Sequence, residues 1–279
     1  MITLIAKWFL LVVSITSLAP VLWAKPKAAD YSDATRVVSL DYCADQFVLK
    51  LVDKQRIRAI SMDARQDFSY MRKQAELHRQ VRASAENVLA LAPDLIVRSY
   101  GGGPNAERFY RRLGLDVIQV RYTSSIAEVQ QELLRIATAL GKQDAGNQLV
   151  EAMNQRLNQL RSGREANVML YVTPGGVTSG PGTLVHDMIK AAGLSNFQTE
   201  PGWRSLPLEK LAFSQPELLA TAFFDTTINH SNFWSAARHP IIRGQLESTR
   251  SVVLDGATTA CGGWFLVDAV ERLAESLIP

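Results

Sequence analysis

Between Ile126 and Leu160 the apolar residues fall at helical spacing. The first set is Ile126, Val129, Leu133, Leu134, Ile136, Ala137 and Leu140, and the second is Leu149, Val150, Met153, Leu157 and Leu160. Gly141 reads as a C-cap and Asp144 as the next N-cap, so the pattern predicts two helices. The second ends at Ser162-Gly163 with Arg156 and Arg161 in its last turns, where cations favour the helix dipole. No strand pattern interrupts them. On either side, short β-branched runs alternate with amphipathic segments. Residues 36–40, 57–60, 94–97 and 116–120 read as strands before this stretch, and residues 167–172, 218–224 and 251–254 after it. Helices are expected from Asp41 to Leu51 and over 85–91, 106–113, 184–192, 208–213, 241–246 and 264–277. Alternation of this kind predicts an α/β fold of two lobes, each with a mainly parallel sheet flanked by helices. The expected boundaries are 35–124 for the N-terminal lobe, 125–163 for a helical connector and 164–279 for the C-terminal lobe. A rigid connector would leave a groove between the lobes.

The two halves also echo each other. Glu86-Asn87-Val88-Leu89-Ala90-Leu91-Ala92-Pro93-Asp94-Leu95 matches Glu209-Lys210-Leu211-Ala212-Phe213-Ser214-Gln215-Pro216-Glu217-Leu218. In each, a Glu opens a short apolar helix, Pro follows seven positions later (93 − 86 and 216 − 209), and an acid and Leu lead into a strand. The two Glu are expected at matching sites on the two lobes.

In an open α/β sheet, the loops beyond the carboxyl ends of the strands face the ligand. That rule makes Asp41, Tyr42 and Cys43 cleft candidates after the first strand, and Arg98 and Tyr100 candidates after residues 94–97. Gly101-Gly102-Gly103-Pro104 follows, but its spacing fits neither the dinucleotide fingerprint nor a phosphate loop with Lys and Ser/Thr. The glycines read as a tight strand-to-helix turn, or as a place where a bulky ligand approaches the backbone.

Composition narrows the classes. At 279 residues and 47% hydrophobic the chain fills two ordinary cores, and a net charge of +3 offers no surface for nucleic acid. Lys7, the apolar runs from Trp8 to Val13 and Ile15 to Trp23, and Ala24 before Lys25 read as a secretory signal over 1–24 cleaved near Ala24, followed by a flexible leader over 25–34; a membrane anchor is the alternative, and Ser14, Thr16, Ser17 and Pro20 weaken it. No cysteine lies in that segment, so a lipid attachment site is not expected there. Cys43 and Cys261 fall in the exported part, where an oxidising compartment permits a disulfide. Such a bond would close a loop of 218 residues (261 − 43) and tie the lobes together; two separate buried thiols are the alternative. His78, His186, His230 and His239 form no metal-ligand spacing, and no nucleophile turn is recognisable.

From Arg36 to the C-terminus the chain resembles the periplasmic substrate-binding proteins of ABC importers for ferric siderophores and vitamin B12, two lobes joined by a long helix. The resemblance rests on Arg36-Val37-Val38-Ser39-Leu40, Glu86 to Leu95, Gly102 to Glu107, Leu113-Gly114-Leu115-Asp116-Val117, Ala192-Gly193-Leu194, and Trp203 followed by Ser205 and Glu209. It implies a soluble periplasmic monomer that binds without catalysis or cofactor and delivers its ligand to a membrane permease. Positions matching the family's ligand contacts are Tyr42 and Cys43, Arg82, Tyr100 and Trp203. Trp203 has a core role as its alternative and Arg82 that of a solvated charge. Arg98 and, more weakly, Tyr171, Phe224, His230 and Trp264 complete the candidates. The resemblance also implies that Glu86 and Glu209 meet arginines on the two permease subunits. A ferric siderophore leads the expected ligands, because Arg82 and Tyr100 suit an anionic, hydroxylated chelate. A corrinoid, a free transition-metal ion and an enzyme's substrate follow in that order.

Overall fold

The computed structural model describes residues 29–160, 167–223 and 235–276. The expected signal, the end of the second connector helix at Ser162-Gly163, Phe224 and His230 lie outside the described residues.

The N-terminal lobe runs β1 (Val37–Ser39), α1 (Tyr42–Leu51), β2 (Ile57–Ser61), α2 (Arg72–Ala75), β3 (Gln80–Val81), α3 (Ala85–Leu89), β4 (Leu95–Arg98), α4 (Ala106–Arg112) and β5 (Asp116–Gln119). Its strands form a wholly parallel sheet of order β3-β2-β1-β4-β5, with Val37 opposite Leu95 and Leu95 opposite Asp116. β1 is buried throughout and β4 likewise, as an apolar run covered by helices on both faces must be. Strand order turns back between β1 and β4, so the crevice beyond their carboxyl ends lies at the switch point.

Two helices follow, α5 (Ile126–Ala139) and α6 (Gln143–Leu160). They form an antiparallel hairpin, the two helices that the sequence pattern predicts, and α6, at 18 residues, is the long helix of the connector. Gln130 donates to Asn154 at 2.8 Å, and a Cβ on Gly146 would lie 2.6 Å from that of Ala137. The reversal follows from the sequence: Gly141 has φ of 69°, and the N–H groups of Gly141 and Lys142 close the end of α5 on Thr138 and Ala137.

The C-terminal lobe contains β6 (Val168–Val172), β7 (Val177–Ser179), α7 (Leu184–Ala191), β8 (Ser195–Asn196), β9 (Trp203–Ser205), α8 (Leu208–Phe213), β10 (Leu218–Ala222), α9 (Pro240–Ser248), β11 (Ser251–Leu254), α10 (Gly256–Thr259) and α11 (Leu266–Glu275). A parallel sheet of order β11-β10-β6-β8 reverses between β6 and β10, and β7 pairs antiparallel with β9 beside it.

The echoed segments occupy matching places. The Asp94 carboxylate accepts from Thr35 and Arg36 N–H at 3.0 and 2.8 Å, just ahead of β1, while that of Glu217 accepts from Val168 N–H at 3.3 Å at the start of β6. Their own N–H groups bond back to Arg36 O and Val168 O. Each lobe fastens an inner strand with a carboxylate at the same point of the echoed segment, Asp94 in one and Glu217 in the other. Between the lobes one hydrophobic cluster is continuous, from Val37, Leu95 and Ile118 through Leu133 and Ile136 of α5 to Met169, Tyr171, Ile189 and Val270. The hairpin is therefore part of a shared core.

Candidate functional site

The floor of the site begins at Asp41. Its side chain caps α1 by accepting from Ala44 N–H at 3.0 Å, and its other oxygen accepts from the N–H groups of Ser99, Tyr100 and Gly101 at 2.7, 3.1 and 2.8 Å. One buried carboxylate thus stitches the ends of β1 and β4 together, and Asp41 serves the turn and not a ligand. Arg98 is corrected in the same way. It is 5% exposed, with Nε on Gly101 O at 2.8 Å, Nη2 on Gly103 O at 3.0 Å and Nη1 on Gln119 at 2.5 Å. Gly101 is required by this packing, since a Cβ there would stand 2.3 Å from Leu40 O, while Gly102 and Gly103 take φ of 79° and 87°.

What the turn presents is Tyr100, 50% exposed, with the Tyr42 ring 5.9 Å away edge-on and Phe68 4.7 Å beyond that. Both phenols are pushed up by burial, with Asp41 adding to the shift, so they keep their protons at neutral pH as hydrogen-bond donors.

The interlobe cleft, about 140 Å³, is lined from the N-terminal lobe by Cys43, Ser99 and residues 120–123, and from the other by Leu184, Val185, Trp203 and residues 259–262. Trp203 projects from β9, 48% exposed, with the buried Tyr171 ring 6.2 Å behind it. Tyr171 is a supporting ring, held by Thr259 and pushed up by complete burial. Trp264 is placed elsewhere: Phe47, Tyr70 and Phe265 surround it and Lys50 Nζ lies 5.7 Å over its ring, so it packs the lobes together. Cys43 and Cys261 form a disulfide in the cleft wall, Cα to Cα 5.5 Å, joining the two lobes. Arg82 is exposed at the end of β3, next to Ala83, whose carbonyl oxygen faces Gly102.

Two cleft residues were not among the expected ones. Arg121 and Tyr122 leave the carboxyl end of β5 by the same rule that singled out Tyr100. The Arg121 N–H is held by Glu132 at 2.8 Å, but Glu132 is already paired with Arg135 at 2.6 Å. The Arg121 guanidinium has no partner among the described residues, and Tyr122 is 74% exposed. The cleft therefore offers a cation and stacking faces to one ligand.

Elsewhere, His186 bonds Asn196 at 3.1 Å, its pKa lowered by burial, and His239 caps α9. Among the described residues no group of three or more His, Cys, Asp or Glu is placed to hold a metal ion, and no helix is long and apolar enough to cross a membrane.

A family model described as periplasmic binding protein matches residues 37–222. Among curated protein sequences none matches. The heme-binding protein HutB of Vibrio cholerae is similar in structure, with TM-score 0.68 and 19% identity over 88% of this chain and 99% of that one. The vitamin B12-binding protein BtuF of Vibrio cholerae gives 0.61 and 20% over 88% and 96%, and a possible iron-binding protein from Staphylococcus epidermidis 0.68 and 16% over 88% and 99%. With its two lobes, parallel sheets and interlobe cleft, and a family match over more than half of its length, the chain belongs to the periplasmic binding protein family.

Proposed function

We propose that this protein captures an anionic iron chelate, a ferric siderophore or heme, between its lobes and delivers it to the permease of an ABC importer without catalysing a reaction. The observation that carries this reading is the pairing of Arg121, whose guanidinium has no partner among the described residues, and the exposed Tyr122 with Trp203 in one cleft. Aromatic faces suit a broad conjugated or hydroxylated ligand, and a free guanidinium suits carboxylate or phenolate oxygens. Heme, vitamin B12 and iron in the descriptions of structurally similar proteins support the same ligand class.

Titrating the protein with hemin, ferric siderophores and cyanocobalamin while following tryptophan fluorescence tests it. An iron chelate should give saturable quenching that Trp203→Phe largely abolishes. Arg121→Ala should weaken that binding about 10- to 100-fold, the loss of one charge-assisted hydrogen bond. Cyanocobalamin, which is neutral, would be indifferent to Arg121, so a tight corrinoid complex unaffected by the substitution marks the alternative ligand. Saturation by free Zn²⁺ or Mn²⁺ alone would overturn the proposal.

Delivery is assigned to Glu86 and Glu209. Both are exposed, and neither carboxylate has a hydrogen bond or ion pair among the described residues. Lys210, beside Glu209, is turned inward onto Phe197 O at 2.6 Å. Two spaced, unspent charges at matching points on the lobes suit a partner with two similar halves. Glu86→Ala with Glu209→Ala should leave chelate affinity unchanged while uptake and stimulation of the importer's ATPase fall. Normal transport by the double variant would remove the docking role.

A further inference from the structure

Phe213 is the most exposed large apolar side chain among the described residues, at 93%. It ends α8, and that helix has no freedom to roll it inward: Leu208 and Leu211 already face the core, and Lys210 is tied to Phe197, with its ammonium 4.1 Å over the ring. Glu209 stands one turn earlier on the same face as Phe213. The echo between the lobes supplies the comparison. Val88 and Leu211 correspond and both are buried, whereas the position of Phe213 is held by Ala90 on the other lobe. The fold does not require an aromatic ring here, since the matching helix is built without one. An isolated, fully hydrated ring beside an unpaired carboxylate has the composition of an interface anchor, and aromatic side chains are the commonest such anchors.

We propose that Phe213 is the hydrophobic anchor of the surface that docks on the permease. It inserts into an apolar pocket on the periplasmic face of one subunit while Glu209 pairs with a cation at the rim of that pocket. The N-terminal lobe, with Glu86, Ala90 and a Leu89 only 38% exposed, makes the weaker, chiefly electrostatic contact. The complex is then held more firmly through the C-terminal lobe. This inference rests on the docking reading of Glu86 and Glu209, and the experiment separates the two.

The photocrosslinker p-benzoylphenylalanine is placed at Phe213 or at Ala90 in the full chain, and cells are irradiated in the presence of hemin or of a ferric siderophore. Mass spectrometry then identifies the adducts. The proposal expects permease peptides from position 213. Permease adducts from position 90 and none from 213 would overturn the anchor and leave the docking reading intact; none from either position would overturn both. An adduct with a second copy of this chain would reassign the face to self-association, against the proposal. As a quantitative arm, Phe213→Ser should raise the dissociation constant for the importer in nanodiscs about 10- to 100-fold, with chelate affinity and salt dependence unchanged. Glu86→Ala with Glu209→Ala should instead flatten the salt dependence. An unaltered constant for Phe213→Ser would sink the proposal.

Discussion

The carboxyl of Asp45, in the first turn of α1, is fully buried, accepting from Ser61 N–H at 3.1 Å and bonded to Ser61 Oγ at 2.6 Å. Burial pushes its pKa up to about 7, against the partial relief from Ser61 and Ser39. A folded-state pKa above the unfolded one means that the native state holds this proton longer. Its contribution to stability is therefore best below about pH 4, declines from there to about pH 7, and is flat above. Asp45→Asn keeps an acceptor for Ser61 N–H and a donor for Ser61 Oγ while removing the charge. We expect it to raise the melting temperature at pH 8 by at least about 2–4 °C, the equivalent of about 1 kcal/mol in a chain of this size. It should also flatten the decline between pH 4 and 7. A lower melting temperature at pH 8 would show that ionised Asp45 is stabilising. Single residues were the least legible part of the sequence. Tyr100 and Trp203 stand out because each adjoins a glycine turn, but glycine also marks Arg98, whose donors are spent on its own turn and on Gln119. Arg121 and Tyr122 follow directly on the strand expected over 116–120, so the strand-end rule applied to residues 94–97 reaches them too, but no glycine marks them and they do not stand out.

Elements were legible wherever burial imposes a period. The parallel strands β1, β2, β4, β5, β6, β10 and β11, the helix α5 and the start of α6 are close to their expected bounds, since each presents apolar residues at one fixed spacing, whereas the two-residue parallel strands β3 and β8 are too short to show a period. The antiparallel pair of β7 and β9 was not legible. Trp203, Arg204 and Ser205 are all exposed and carry no apolar alternation, and more than 20 residues separate them from Val177. How α5 lies against α6 was also hidden, because a helical period gives the buried face and not the partner. The contact has a sharp test. A methyl group at Gly146 would collide with Ala137 Cβ at 2.6 Å, where neither side has a flexible end to move. Gly146→Ala should destabilise by about 1–3 kcal/mol despite its better helix propensity. Ala137→Gly in the same chain should recover part of that loss, and urea titration of the four proteins of the cycle gives the coupling. Simple additivity would mean that the two residues do not touch.

Across the whole molecule, two kinds of tie join the lobes. The noncovalent one is the shared core together with Tyr70 Oη and Arg156 Nη2, both bonded to Asp268 at 2.8 and 2.7 Å. The covalent one is Cys43–Cys261. A closed loop of this length sets an entropic ceiling of about 5 kcal/mol on the bond's contribution. Replacing both cysteines by serine should therefore lower the melting temperature by up to about 10–20 °C. An unchanged value would mean that the core alone fixes the lobes. The sequence separation of 218 also bears on how the protein is made. Synthesis delivers Cys43 long before Cys261, so every strand of the first sheet can be in place while one thiol waits for a partner at the far end of the chain. The wait carries no danger of mispairing within the polypeptide, since it contains no third cysteine. An oxidant suffices to close the bond, a disulfide isomerase has no mispaired partner within the sequence to correct, and the pairing in the cleft wall waits on the C-terminal part of the chain.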